Sequence, residues 1–504
     1  MDYKFKNVKV SYIPDCEVVI KDKKYLIHGV INNEDITVTT DTKYPSLKEI
    51  NTPSKERIYN GCPYQNECGG CQFQHINYDY ELKLKKEYLN DLFKGFHLKD
   101  KIEITPSFDY LHYRNKCQMT YKLSKSKKVV AALYEDYSHK LVTVDGCMLQ
   151  ANKANEIIKA VSNALTKNKI APYDEATRTG IIRHIYVRYG FNSKEAMVVL
   201  VTNGEFFPGR NNVLKSIPKE DLGIKTIVQN FNSRDTSIVL GDKEKILYGP
   251  GYIYEMVGDY KFKISSKSFF QINTIGMKKL YELALSKANI TKNDLVIDAY
   301  CGVGTISIFA SKYAKKVIGV ELNKGAIMDA KINAKLNNIT NIEFIADDAT
   351  NYMTNLAKNR DKVDVVIMDP PRDGSTKQFI NAIKYLKPRK VVYVSCNPIT
   401  LKRDLYQFFE NDYLLESITA VDMFPRTIHT ENIAILSLDD ELSSLENLAK
   451  ISKNGGNVLE ALNSKNNYKK NNKLRVIPKA DIEMMREDNY ERSGKIPNKK
   501  YKKY

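Results

Sequence analysis

Residues 294–321 read DLVIDAYCGVGTISIFASKYAKKVIGVE, and this stretch decides the fold. A short apolar run is followed by a turn with Gly302 and Gly304, by a helical pattern, and by a second apolar run that ends at Glu321. Further apolar runs alternate with helical patterns through IEFIADDA, VDVVIMDPP, VVYVSCNP and NIAILSLD. Such alternation predicts a doubly wound α/β domain, in which helices cover both faces of a parallel sheet.

The turn itself predicts a ligand site. Gly302 and Gly304 let the backbone approach a ligand, and the helix that follows presents its N-terminus to a polar group. Glu321 stands about 20 residues after the turn, where an acid binds ribose hydroxyls. Ile306 and Ser307 follow without the third glycine of a dinucleotide site. We therefore expect a nucleoside ligand without pyrophosphate, and the alternative is a plain turn with a helix-capping acid.

Later strands end beside reactive side chains. VVIMDPPR places Asp369 after a strand, on a loop stiffened by two prolines. VVYVSCNP places Cys396 after the next strand, and RTIHTENIAIL places Glu431 just before the last one. Open α/β sheets bind ligands at the carboxyl ends of their strands, so we expect these side chains to line one crevice. The alternatives are a buried structural cysteine and a surface acid.

A thiol and a carboxylate in one crevice suit methyl transfer to carbon 5 of uracil. Carbon 5 is a poor nucleophile until a thiolate adds at carbon 6, after which it attacks a sulfonium methyl group. This chemistry needs an accessible cysteine with a lowered pKa, and we expect that cysteine to be Cys396. It also needs a base that removes the proton from carbon 5. We expect Glu431 to be this base, with His429 as the alternative.

A second group of reactive residues lies in CPYQNECGGCQFQH, residues 62–75. Cys62, Cys68 and Cys71 form a C-x5-C-x2-C run, in which two glycines favour a tight loop around a metal centre. A fourth ligand is needed. Cys147 is the candidate that remains, because Cys117 lies in a β-like run and the two later cysteines belong to the α/β part. Zinc and a 4Fe-4S cluster both suit four thiolates, and the spacing does not distinguish them.

The composition favours a cytoplasmic protein with a polyanionic partner. The chain has 504 residues and a formal net charge of +18 at pH 7, half of which lies from residue 450 onward. The remaining positive charge favours binding to RNA or DNA. The sequence has no secretory signal and no run of about 18 apolar residues. In the reducing cytosol, the eight cysteines are expected to serve metal binding or chemistry rather than disulfides.

Taken together, these motifs resemble the 5-methyluridine RNA methyltransferases, and in particular the iron–sulfur branch that acts on 23S ribosomal RNA. The resemblance covers roughly residues 1–440. It rests on the CPYQNECGGCQ run, YRNK at 113–116, GIIRHIYVR from Gly180, FFQIN from Phe269, DAYCGVGT, DPPR, SCNP and HTEN.

The resemblance implies roles for individual residues. Cys396 matches the nucleophile of the family and Glu431 its proton acceptor, and Asp348 matches a position that faces the adenine. The positions that bind S-adenosylmethionine match Gln271, Tyr300, Glu321 and Asp369. The ligands of the 4Fe-4S cluster match Cys62, Cys68, Cys71 and Cys147.

The resemblance also implies a division into domains. Residues 1–55 are expected to form an OB-like β-barrel of the TRAM type, and residues 56–268 a mixed α+β region that carries the cluster and binds RNA. Residues 269–440 are expected to form a Rossmann-like S-adenosylmethionine-dependent methyltransferase domain. The resemblance does not extend to residues 441–504, whose Lys/Asn-rich composition predicts a basic, disordered tail.

The expected function is methylation of carbon 5 of a specific uridine in 23S ribosomal RNA by a monomer without an obligate protein partner. One alternative is the same reaction on the T-loop of transfer RNA. The other is a non-catalytic iron–sulfur RNA-binding protein, which the presence of both Cys396 and Glu431 disfavours.

Overall fold

The computed structural model describes residues 1–439 except 13, 14, 42–44, 60, 66, 97, 136, 137, 139, 236 and 237. The basic segment 441–504, which the sequence predicts to be disordered, lies outside the described residues. No helix in the described part combines the length and the apolar composition that are needed to cross a bilayer.

Two small antiparallel sheets form the N-terminal module. Their strands are β1 Asp2–Phe5, β2 Val10–Tyr12, β3 Asp15–Ile20, β4 Lys23–His28, β5 Asp35–Thr39 and β6 Ser46–Thr52. They are hydrogen-bonded in the orders β1-β5-β6 and β2-β3-β4. β-Branched residues of both sheets, among them Val18, Ile27 and Ile36, share one apolar core. The module is therefore a pair of three-stranded sheets around a common core.

The cysteine-rich loop leads into helix α1, Tyr78–Leu92, which is followed by a 3-10 helix at Lys94–Phe96 and by β7, Ile104–Thr105. The side chain of Asn77 begins the helix by accepting a hydrogen bond from the backbone N–H of Tyr80 at 2.8 Å.

A seven-stranded sheet forms the centre of the chain. Its strands are β8 Lys116–Leu123, β9 Val129–Tyr134, β10 Leu141–Thr143, β11 Ile182–Tyr189, β12 Ala196–Thr202, β13 Ile224–Phe231 and β14 Lys243–Tyr248. Their order is β10-β9-β8-β11-β12-β13-β14, with a parallel pair at β12 and β13. Helices α2 Asn152–Lys167 and α3 Arg210–Ser216 pack on one face. A hairpin, β15 Tyr252–Val257 and β16 Tyr260–Ser265, follows.

An eight-stranded sheet forms the C-terminal part. Its remaining strands are β17 Leu295–Ala299, β18 Lys316–Glu321, β19 Ile342–Ala346, β20 Val365–Met368, β21 Lys390–Ser395, β22 Tyr413–Val421 and β23 Glu431–Leu438. Its helices are α4 Thr274–Ala288, α5 Thr305–Ser311, α6 Lys324–Leu336, α7 Ala349–Asn359, α8 Lys377–Leu386 and α9 Pro398–Glu410.

The order of this sheet is β19-β18-β17-β20-β21-β23-β22-β7. The first five strands are parallel, as the sequence predicts, and β23 is antiparallel to both of its neighbours. Successive residues alternate between two cores: Val296 and Val365 point to one side, Ile297 and Val366 to the other. The mixed α/β fold expected from residues 294–321 is confirmed.

Elements that precede residue 269 complete the cores of this sheet. Phe93 and Phe96 pack with Phe408 and Phe409 in the core on one face, and the Phe96 and Phe409 ring centroids lie 5.6 Å apart. On the other face, residues of the central sheet share a core with α4. Strand β7 even pairs with β22. The N-terminal half is thus structurally continuous with the C-terminal sheet across the boundary at 268 expected from the sequence.

Candidate active site

The residues predicted from the sequence meet at one edge of the eight-stranded sheet. Tyr300, Asp369 and Cys396 directly follow β17, β20 and β21, and Glu321 is the last residue of β18. In the parallel register, Ala299 at the end of β17 pairs with Met368 at the end of β20 and with Val320 of β18, one residue before Glu321. The four side chains therefore lie along a single crevice.

Backbone N–H groups hold Glu321 beside the turn after β17. The Glu321 carboxylate accepts a hydrogen bond from the Gly302 N–H of this turn at 3.2 Å and another from the Asn323 N–H at 2.8 Å. Gly302 has open space where a Cβ would lie, so its backbone is accessible to a ligand. At Gly304, by contrast, a Cβ would lie 2.6 Å from the Phe344 ring. The second glycine is thus required by packing, and only the first leaves room for a ligand.

The antiparallel pairing of β21 with β23 brings Cys396 and Glu431 together. Ser395 and Asn432 are partners in this register, and the Asn432 side chain donates a hydrogen bond to the Ser395 carbonyl at 3.1 Å. Cys396 and Glu431 come next along the two strands, where facing Cβ atoms lie about 5 Å apart. Because β22 ends beside the start of β23, Val421 pairs with Glu431 on the other side. The sheet therefore fixes both side chains at the crevice.

Three carboxyl groups share this poorly solvated region. Burial raises the pKa of Asp298 to about 7, although a hydrogen bond from the Ser307 hydroxyl lowers it. Burial and Asp298 together raise the pKa of Asp369. Burial and Asp369 raise the pKa of Glu431 well above its ordinary value, while Arg372 opposes this. Glu431 Oε2 is buried without a hydrogen-bond partner among the described residues.

The same surroundings act on the thiol. Burial raises the pKa of Cys396 to about 12, with further contributions from Glu431 and Asp369 that Arg372 partly offsets. The expectation of a lowered pKa is therefore wrong for the protein without ligands. The physical reason is that burial disfavours the charged thiolate, and that Glu431 and Asp369 disfavour a further negative charge beside them. A cationic ligand in the crevice would lower the pKa of Cys396, because a nearby positive charge favours the thiolate.

His429 differs from Glu431 in its electrostatic environment. Burial, with smaller contributions from Arg372, Lys85 and Arg114, lowers the pKa of His429 to about 4. Its ring lies edge-on to the ring of Phe424, with centroids 6.3 Å apart. The imidazole is therefore neutral and weakly basic, whereas the raised pKa of Glu431 makes its ionised form the stronger base.

Gln271 and Asp348 are placed by local structure. Gln271 is buried just before α4, and its carbonyl accepts a hydrogen bond from the Asn115 side chain at 2.8 Å. Asp348 begins α7 by accepting the Asn351 N–H at 3.0 Å. Burial and the neighbouring Asp348 raise the pKa of Tyr300.

The predicted metal ligands line one cavity of about 310 Å³. Its walls include Cys62, Cys68, Cys71 and Cys147, and Cys117 of β8 as well. Cys147 contributes to raising the pKa of each of the other three predicted ligands, so its thiol lies close to all of them. Cys117 is fully buried, and its sulfur is directed to the Arg114 carbonyl at 4.0 Å. The cavity thus joins three cysteines of one loop to Cys147, from a distant loop.

The polar groups of this cavity complement an anion. Arg114 and Lys116 line it, and no Asp or Glu stands among the described residues of its wall. Gln74 donates a hydrogen bond to Cys71 Sγ at 3.6 Å. Buried polar atoms of Gln65, Arg114 and Gln150 have no hydrogen-bond partner within the described structure. Among the described residues, no three His, Cys, Asp or Glu side chains converge closely enough to hold a single metal ion.

Two residues of the crevice were not predicted from the sequence. Arg372 stands in the DPPR motif, and it lowers the pKa of both Cys396 and Glu431. Asp298 is an acid inside the apolar strand LVIDA, which is the signal that could have identified it. A buried acid in a sheet interior requires a partner or a function.

Comparisons with known proteins show which family the chain is similar to. The model of the family described as tRNA (Uracil-5-)-methyltransferase matches residues 225–438. An uncharacterized RNA methyltransferase of Halalkalibacterium halodurans is 40% identical over 388 residues, 76% of this chain and 84% of that protein. One of Oceanobacillus iheyensis is 39% identical over 407 residues, 80% of this chain and 88% of that protein. The solved structure of Pyrococcus abyssi tRNA (uracil-54, C5)-methyltransferase in complex with S-adenosyl-L-homocysteine aligns with a TM-score of 0.69 at 26% identity, covering 86% of this chain and 99% of that one.

The electrostatics of the crevice predict how Cys396 reacts with iodoacetamide. Its alkylation should be slow at neutral pH and should accelerate with each rise in pH, because the thiolate stays a minor species below a pKa of about 12. Arg372→Gln should slow alkylation at every pH, since Arg372 lowers this pKa. Lys377→Gln, which removes an exposed cation at the start of α8, is the control. Peptide mass spectrometry measures the rates, and a plateau near neutral pH would contradict the prediction.

Proposed function

This chain belongs to the RNA uracil-5-methyltransferase family, and on that premise we propose that it methylates carbon 5 of a specific uridine in 23S ribosomal RNA. The methyl donor is S-adenosylmethionine, and Cys396 forms a covalent bond to the uracil ring. The observation that carries the proposal is the β21–β23 register, which places Cys396 opposite Glu431 at the edge where Glu321 and Asp369 also lie.

Five residues form the proposed donor site. Glu321, whose carboxylate already accepts the Gly302 N–H, binds the ribose hydroxyls. Asp369 offers its carboxylate to the sulfonium cation, while Tyr300 and Gln271 line the remaining wall. Asp348, at the start of α7, faces the adenine. A bound cation would favour the ionised forms of the neighbouring carboxyl and thiol groups.

The proposed reaction uses Cys396 first. Its sulfur bonds to carbon 6 of uracil, and the ring electrons move to carbon 5, which takes the methyl group from the sulfonium. Glu431 then accepts the proton of carbon 5. The electrons of that C–H bond restore the ring double bond as the bond between sulfur and carbon 6 breaks. Arg372 favours the thiolate in the first step because it lowers the pKa of Cys396.

The assignment of the base to Glu431 rests on basicity and on an oxygen that no neighbour occupies. Proton removal from carbon is faster with a stronger base, and the ionised form of Glu431 is the stronger base, because its pKa is raised while that of His429 is lowered to about 4. A Glu431 oxygen also has no hydrogen-bond partner in the described part of the protein, so no internal donor competes with a substrate proton for it.

We also propose that the cysteine cavity holds a 4Fe-4S cluster on Cys62, Cys68, Cys71 and Cys147. A zinc ion binds sulfur at about 2.3 Å and would draw all four thiols to a single point. The cavity of about 310 Å³ suits a larger group. Among the described residues of its wall, Arg114 and Lys116 are cations and none is a carboxylate, which suits an anionic group. When bound, a cluster of this kind supplies a redox-active crosslink between the loop and Cys147.

The RNA substrate has two candidates. A basic chain with an N-terminal β module, proposed to be the OB-like RNA-binding domain, supports a large structured RNA such as 23S ribosomal RNA. The alignment with the transfer RNA enzyme of Pyrococcus abyssi extends over 99% of that protein, which supports transfer RNA as the second candidate. Either uridine must leave its stack so that a thiol can reach carbon 6.

Mapping of the methylated uridine distinguishes the two substrates. Ribosomal RNA and transfer RNA from cells with and without the gene should be digested and compared by mass spectrometry. A 5-methyluridine that disappears from 23S ribosomal RNA alone is the expected result. Loss confined to transfer RNA would move the proposal to the second candidate, and loss from neither would contradict the function.

Variants of the two catalytic residues should fail at different steps. Cys396→Ala should form neither adduct nor product, because nothing precedes its attack. Glu431→Gln should methylate once and stall with RNA bonded to Cys396, since base removal costs about 100- to 10,000-fold in rate. A denaturing gel with methyl-tritiated donor detects the stalled band. A stalled band in His429→Ala but not in Glu431→Gln would assign the base to His429.

The cluster proposal predicts the metal content of two cysteine variants. Protein purified without oxygen should contain iron and acid-labile sulfide in equal amounts. Cys147→Ser should lose both, and Cys117→Ala should retain them, because Cys117 lines the cavity without being a proposed ligand. Colourless protein with stoichiometric zinc would overturn the proposal. If iron is lost from Cys117→Ala but retained in Cys147→Ser, the fourth ligand is Cys117 instead of Cys147.

A further inference from the structure

Four charged side chains are buried where α1 meets the segment 422–430. This segment joins β22 to β23, whose first residue is Glu431. Glu81 and Asp422 are fully buried, and Lys85 and Arg426 are 2% and 3% exposed. None of them belongs to the crevice or to the cysteine cavity described above. Charges this deep are costly unless each is paired and hydrogen-bonded, so their arrangement requires a function or a structural reason.

Each charge in this group has a partner. Lys85 Nζ donates to Glu81 at 2.7 Å and to Asp422 at 2.9 Å. Glu81 also accepts the backbone N–H of Arg426 at 2.7 Å, and Tyr78 donates its hydroxyl to Asp422 at 2.8 Å. The group therefore connects one face of α1 to both Asp422 and Arg426 of the segment.

Arg426 also connects the segment to the cysteine-rich loop. Its carbonyl accepts the backbone N–H groups of Gln72 and Phe73 at 2.9 and 3.1 Å, directly after Cys71. Its guanidinium donates to the carbonyls of Phe73 and Ile76 at 3.2 and 2.6 Å. The backbone of Arg426 is in the left-handed region, with φ at 69°, which these bonds stabilise.

These contacts reach the residues next to Glu431. Lys85 Nζ approaches the Phe424 carbonyl at 3.5 Å, and the Phe424 ring contacts His429. Thr427 accepts the His429 N–H at 3.3 Å. Lys85 also contributes to lowering the pKa of His429. The wall of the crevice between 427 and 431 is thus built on a segment that the buried charges keep in one arrangement.

We propose that Arg426 is a positioning residue for proton removal by Glu431, acting through the segment 422–430. The inference rests on the proposed covalent function and adds a residue to it. Attack by Cys396 and methyl transfer depend on the strand ends of the parallel sheet, whereas the hydrogen bonds of Arg426 described above go to α1 and to the cysteine-rich loop. The later step, in which Glu431 takes the proton of carbon 5 and the bond from sulfur to carbon 6 breaks, depends on the sheet and also on the segment that leads into Glu431. A displacement of about 1 Å there can cost about 100-fold in rate.

Two RNA substrates separate the steps. With 5-fluorouridine RNA, the adduct accumulates, because a base cannot remove fluorine from carbon 5 as it removes a proton. The rate of adduct formation then reports attack and methyl transfer alone. With ordinary uridine RNA, the release of methylated product also requires proton removal.

Arg426→Gln should form the 5-fluorouridine adduct at the native rate and release product from ordinary RNA about 100-fold more slowly. Ordinary RNA should therefore accumulate as adduct. Arg426→Lys, which keeps the charge, should have an intermediate effect. Asp422→Asn, which keeps the shape, is the second variant should Arg426→Gln not fold, as judged by its melting transition. Arg389→Lys is the control, since Arg389 binds Asp294 and the Asn289 carbonyl at the far edge of the sheet.

The outcomes are distinguishable. Equal losses with both substrates would assign Arg426 a general structural role and overturn the inference. Native product release in both Arg426→Gln and Asp422→Asn would also overturn it. Absence of the 5-fluorouridine adduct in the unmodified enzyme would instead contradict the proposed covalent function, and the role of Arg426 in it.

Discussion

Hydrogen bonding between parallel neighbours forces β17, β18, β20 and β21 to end at the same edge of the sheet. Each strand is apolar up to its last residues and is followed by a polar side chain, so the register that buries the apolar runs also collects Tyr300, Glu321, Asp369 and Cys396. A shift of one residue would move every buried side chain to the opposite face. The position of the crevice is therefore a consequence of the burial of the sheet.

Two sites of opposite electrostatic character follow from this architecture. The crevice contains buried carboxyl groups whose pKa values are raised, which suits a cationic ligand such as a sulfonium. The cysteine cavity contains Arg114 and Lys116 and no acid among the described residues of its wall, which suits an anionic group. In each site, a bound group of the opposite charge would offset the cost of burying the charged side chains.

The two halves of the chain are interlocked rather than joined by a linker. The segment from helix α1 to strand β7 completes a core whose other members begin at Leu295. Lys85 and Arg426 then bind the cysteine-rich loop and α1 to the segment before Glu431. These buried charges and main-chain hydrogen bonds join the cysteine-rich loop directly to the segment that leads into Glu431.

The sequence by itself determined the α/β sheet and the polar residues at the ends of its strands, because these follow from local apolar periods and from turn chemistry. It also determined which three cysteines share a loop. Only the tertiary structure decided that Cys147 joins them, that the pKa of Cys396 is raised, and that Arg372 and Asp298 belong to the site. Burial and long-range contacts set these properties. Neither is encoded in the spacing of residues along the chain, since each depends on groups that only folding brings together.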